Sequence, residues 1–192
     1  MATKYRRGFK TEAEDYAKDL RKELGLASYK PLSPWKLSEH LSIPVNPLSL
    51  YKDQISDAVI YCTEKDQKSF SAMTIFNSYR RLIIHNDSHS LKRQAANLAH
   101  ELSHAILGHI PMPVFDEYGH RYFNHQEEDE ANWLGPVLLI PKDAAFHIAK
   151  TGMSTEEASQ AYGVSEDIIK MRINLSGVKT ILNRLKMKSF IY

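Results

Sequence analysis

Cysteine is nearly absent from this chain, with Cys62 its one thiol. A lone cysteine cannot close an intramolecular disulfide, and its scarcity fits a reducing compartment. Within ISDAVIYCT it reads as a small strand side chain rather than a nucleophile. Long apolar runs are missing too: no stretch approaches the roughly 20 residues that cross a bilayer as a helix. The opening MATKYRRGFKTEAEDYAK has no apolar core of the kind a secretion signal carries, so a cytoplasmic protein is expected. Charge of one sign is not in excess either, 25 Lys and Arg facing 23 Asp and Glu. The ends are the basic part: residues 1–30 hold 8 basic against 5 acidic residues, and residues 165–192 hold 6 against 2. Spread over helices, such charges read as solvated faces, and direct nucleic-acid binding is not expected. Repeats and low-complexity tracts are lacking, which excludes solenoids and arrays.

What remains is an ordinary globular composition, 43% hydrophobic and 25% charged over 192 residues, enough to bury a core. In KTEAEDYAKDLRKEL, residues Ala13, Tyr16, Ala17, Leu20 and Leu24 recur at helical spacing, and Gly25 follows as a stop. Ser33-Pro34 reads as N-cap and first position of a short helix, with an extended segment from Ile43 to Val45 after it. From residue 55 the texture changes. ISDAVIYCT, SFSAMTIFN and RRLIIHN are short β-branched and aromatic runs separated by polar turns, and predict a three-stranded antiparallel meander. Ser88 or Ser90 then caps a helix to about Leu107, with Gly108 ending it. Residues 111–126 read as a loop. A helix follows from about Gln126, with a kink expected at Gly135-Pro136. PKDAAFHIAK, STEEASQAY and SEDIIKMRINL are further helices. The class is α+β, with a helical N-terminal region (1–50), a catalytic core (51–150) and a C-terminal helical segment (151–192).

The chemistry concentrates in LAHELSHAILGH. His100, Glu101 and His104 form H-E-x-x-H on a helix, and four residues is about one turn, so the two imidazoles share a face and can hold one ion. Glu101, rotated about 100° from His100, is placed to act on a water beside that ion. Zinc suits nitrogen and oxygen donors. Leu91, Ala95, Leu98, Leu102, Ala105 and Ile106 are the apolar residues expected to anchor this helix. A catalytic zinc usually has three protein ligands. His109 misses the metzincin spacing by one residue and is expected to end the helix by capping its carbonyls. In QEEDEANW, Glu128 and Asn132 share a helix face. That pairing resembles the thermolysin-like zincins, in which the glutamate is the third ligand and the later polar residue hydrogen-bonds a ligand histidine. Glu127 and Glu130 are expected to be solvated charges at a helix N-terminus.

RQAANLAHELSHAILGH followed by EDEANWLGPVLLIPKDAA resembles the ImmA/IrrE family of zinc metallopeptidases. The resemblance implies His100, His104 and Glu128 as zinc ligands and Glu101 as general base in peptide hydrolysis, taking a proton from water and passing it to the leaving amine. It implies a narrow endopeptidase whose substrate is a helix-turn-helix repressor, encoded nearby, in stress or mobile-element regulation. Tyr118, His120, Tyr122 and His125 precede the Glu128 helix as candidate oxyanion donors, though each taken singly reads as a surface or packing residue. AYGVSEDIIKMRI resembles the turn and second helix of a helix-turn-helix. It offers Lys170 and Arg172 beside Glu166 and Asp167, and reads as a helical pair packed beside the core. The alternative from another class is a non-catalytic, metal-containing module that acts by docking.

Overall fold

Local chemistry starts and stops most of the helices. The computed structural model describes residues 5–77, 80–109 and 124–189. Helix α1 (Phe9–Glu23) buries Ala13, Ala17 and Leu20 of the stripe its spacing predicts, together with Phe9, while Tyr16 and Leu24 are half-buried. In α2 (Pro34–His40) Ser33 accepts the Lys36 amide and Pro34 occupies the first turn. Gly25 lies in the left-handed region (φ 68°), where a side chain would be strained.

The sheet is small and mixed. Strand β1 (Val45–Pro47) is followed by a 3₁₀ turn at Leu48–Tyr51 and a short helix α3 (Ser56–Ile60), which runs on into a π turn at Tyr61–Lys65. Strands β2 (Ala72–Asn77) and β3 (Arg80–His85) pair antiparallel, with Thr74 opposite Ile83 and Phe76 opposite Arg81. Strand β1 lies on the other side of β3 and runs parallel to it, Val45 opposite Ile83. The α+β class and the antiparallel pair are as expected, whereas the first strand of the meander is not there. ISDAVIYCT is helical instead, as α3 and the π turn that follows it. Its buried residue Val59 packs with Leu48 and Ile84, and half-buried Cys62 one turn later joins them. Thr63 closes that turn by donating to the Val59 carbonyl. Burial here overrides β-propensity.

Helix α4 (Leu91–Ile106) is capped by Ser90, whose side chain accepts the Arg93 amide. It buries Ala95, Leu98 and Leu102, while Leu91 in its first turn is 73% exposed and anchors nothing. Helix α5 (His125–Leu139) is capped by Asn124 and continues through Pro136 to Leu139. Helices α6 (Lys142–Thr151), α7 (Thr155–Tyr162), α8 (Glu166–Leu175) and α9 (Val178–Ser189) complete the described chain, and α9 has no counterpart among the elements expected from the sequence. Ser154 and Glu157 form a capping box on α7.

One apolar cluster joins α1 and α2 to α4 and α5, and a second joins α6 to α9 to the end of α5. Two buried arginines hold the end of α5. Arg21 of α1 donates to the Leu138 and Leu139 carbonyls, and Arg172 of α8 donates to the Ile140 carbonyl while pairing with Glu14. They satisfy carbonyls that a helix end leaves without partners. Arg172, one of the basic residues expected on a solvated face, is 1% exposed. No helix among the described residues is long and apolar enough to cross a membrane.

Candidate metal centre

Helix α5 crosses back over α4 at a point where both backbones nearly touch. Gly135 is responsible: a Cβ there would sit 3.3 Å from the His100 amide nitrogen and 3.4 Å from the His100 Cα. These are backbone atoms of a buried helix and cannot swing aside. Seven residues is close to two turns, so Glu128 lies on the same face of α5 as Gly135. The close approach at Gly135 therefore sets where Glu128 meets α4. Gly135→Val is expected to destabilise the protein by about 1–3 kcal/mol through overpacking, and to weaken zinc binding by moving Glu128. Thermal unfolding of the metal-free protein and a zinc titration measure the two effects separately. Unchanged zinc affinity in a destabilised Val variant would sever the link between this contact and the site.

The structure brings His100, His104 and Glu128 together. Their candidate donor atoms lie within 4.8 Å of one another. The two Nε2 atoms are 3.2 Å apart, and the Glu128 oxygens lie 3.5 Å from His100 Nε2 and 3.4 Å from His104 Nε2. Two imidazole nitrogens and a carboxylate converging on one point form a donor set that fits zinc. Asn132 hydrogen-bonds His100, as the resemblance to the thermolysin-like sites implies.

Glu101 lies one residue outside the trio, and Thr74 of β2 donates to its Oε2 at 2.6 Å. Burial pushes the Glu101 carboxyl above its ordinary range, and the Thr74 bond offsets part of this. Thr74 had no mark in the sequence, since only the pairing of β2 beside α4 brings it to Glu101. Glu130 is a correction. Expected at the surface, it is 5% exposed, with Arg6 at 3.3 Å and His109 at 3.6 Å. His109 ends α4 through its backbone, its amide donating to the His104 carbonyl, but its ring turns back to His104. Of the residues considered as oxyanion donors, His125 opens α5 with an exposed side chain, and Tyr118, His120 and Tyr122 lie outside the described residues.

The two histidines titrate apart. For His100, burial opposes the charged ring, but the Glu128 hydrogen bond, the charges of Glu101 and Glu128 and the Asn132 bond outweigh it and raise its pKa above 6.5. His104 is lowered to about 4 by burial and by His100 beside it. Glu128 is lowered, first through its hydrogen bond to His100. A proton on His100 must leave before a metal can bind, so affinity rises with pH until His100 is neutral. The apparent zinc affinity is therefore expected to fall by about tenfold per pH unit below the His100 pKa, with the fall beginning above pH 6.5. Chelator competition across the neutral range checks this, and an affinity flat down to that value would contradict it.

Comparisons with the curated proteins and with the solved structures return no match. The IrrE N-terminal-like domain of peptidase family M78 matches residues 58–174, a span that includes α4, α5 and every residue of the trio. With that span exceeding half of the chain, the protein belongs to the ImmA/IrrE family of peptidases.

Proposed function

We propose that the protein is a cytoplasmic zinc endopeptidase of narrow specificity that cleaves a helix-turn-helix transcriptional repressor in stress or mobile-element regulation. The observation that carries the catalytic part is Glu101, a half-buried carboxylate held by Thr74 next to the His100–His104–Glu128 trio. A purely structural metal site has no use for such a group, which favours hydrolysis over a docking module.

In this reading His100, His104 and Glu128 hold the ion. Zinc, when bound, supplies the Lewis acidity that polarises the scissile carbonyl and makes water a nucleophile near neutral pH. Glu101 takes the proton of the attacking water and delivers it to the leaving amine. In the metal-free protein burial raises its pKa, which strengthens it as a base. Thr74 engages one carboxylate oxygen and so limits the rotation of the other.

The test is incubation of the zinc-loaded protein with the helix-turn-helix regulator encoded beside its gene, followed by mass spectrometry. A single cut that disappears on chelation supports the reading. An intact regulator would remove it as the substrate. Rapid hydrolysis of unfolded casein would remove the narrow specificity.

A further inference from the structure

Each ligand histidine has a second ring nitrogen, and what that nitrogen meets decides whether the first is free to bind a metal. Asn132 hydrogen-bonds the His100 ring. At His104 the second nitrogen, Nδ1, meets His109, with Glu130 behind it. We propose that His109 and Glu130 form a relay that sets the tautomer and ring orientation of His104 for metal binding. This rests on the metal-centre reading above.

The argument follows the protons. For His104 to offer its Nε2 lone pair to the ion while neutral, its proton must sit on Nδ1. That Nδ1 lies 2.9 Å from His109 Nδ1, so His109 must accept there. A neutral His109 accepting at Nδ1 carries its own proton on Nε2, which faces Glu130 Oε2 at 3.6 Å. The other Glu130 oxygen is engaged by Arg6 at 3.3 Å and by Gln126 at 3.4 Å. Every proton in the series has one consistent position, and the negative end is anchored by a cation. The opposite tautomer of His104 would put its proton on Nε2, where the ion binds.

The backbone is arranged for this contact. Gly108 adopts φ 69°, a conformation that suits glycine, and ends α4. The His109 carbonyl accepts from Arg81 of β3 at 3.1 Å, which holds the residue from its far side. His109 and Glu130 are both buried, at 9% and 5% exposed. The relay therefore works with little competition from water, and a buried carboxylate held on one oxygen by Arg6 and Gln126, with the other turned to His109, is costly to rearrange.

His109 and Glu130 are positioning residues, so the readout is zinc affinity by chelator competition, with thermal unfolding of the metal-free proteins in parallel. His109→Leu fills the space without an acceptor and is expected to weaken zinc binding by about ten- to a hundredfold. His109→Asn places an acceptor where Nδ1 was and should bind zinc close to wild type. Glu130→Leu should weaken binding, and in combination with His109→Leu should add nothing further, because both act through one series. Leu and wild type binding equally, Asn binding as poorly as Leu, or an additive double variant would each overturn the relay. If His109→Leu does not fold, Asn is compared with Gln, whose acceptor sits one bond too far; equal affinities would overturn the proposal. A wild-type protein that binds no zinc overturns the metal centre itself, whereas loss of the difference among variants overturns the relay alone.

Discussion

Glu101→Gln is expected to lower turnover of the peptide substrate by about 10²–10⁴-fold, the usual range for removing a general acid–base group, or about 3–5 kcal/mol of barrier. Zinc content should not change, because Glu101 is not among the three converging donors. The substitution is chosen for what it leaves alone. Glutamine has the same shape, and its side-chain oxygen can still accept from Thr74 as Glu101 does. It removes only the charge and the basicity. A neutral amide also escapes the burial penalty that raises the Glu101 pKa, so the variant should unfold at or above the wild-type temperature. Turnover of a synthetic peptide spanning the cut, with zinc quantified in the same sample, decides the matter. Undiminished turnover at full zinc occupancy would sink Glu101 as base.

Much of this architecture is legible in the sequence because it is written in local chemistry. Ser33-Pro34, Ser90 and the glycines at 25 and 108 act within one turn of their own positions, and each starts or stops a helix as expected. The H-E-x-x-H spacing is local in the same sense, and Glu128 follows from its likeness to known sites. The failures are long-range. Residues 55–63 look like a strand, but they form a helix whose Val59 packs with Leu48 and Ile84 from distant parts of the chain. Glu130 looks like a solvated charge until Arg6, far back in the chain, and His109 close over it. Thr74 and Gly135 carry no chemistry of their own, and matter through the single side chain or backbone each one faces. Arg21 and Arg172 read as surface cations until the end of α5 offers them carbonyls.

Glu128→Ala is expected to reduce zinc affinity by more than the about ten- to hundredfold typical for losing a residue that merely supports a ligand. It removes one of three donors, and the remaining pair of imidazoles carries no charge to offset that of the ion. The same change should appear without metal. Glu128 is the largest influence raising His100 against burial, so the His100 titration, followed by NMR, should move downward in the variant. Zinc stabilises the folded protein by mass action, so the rise in unfolding temperature on adding zinc should vanish in the variant and persist in wild type. Glu127→Ala is the control, since it removes the neighbouring charge from the same helical turn without removing a donor from the trio. Equal losses in both variants would mean that the acidic turn attracts the ion only through its charge. A wild-type response in Glu128→Ala would move the third donor elsewhere. Loss in Glu128→Ala alone would tie zinc to the one carboxylate that the close packing at Gly135 aims at α4.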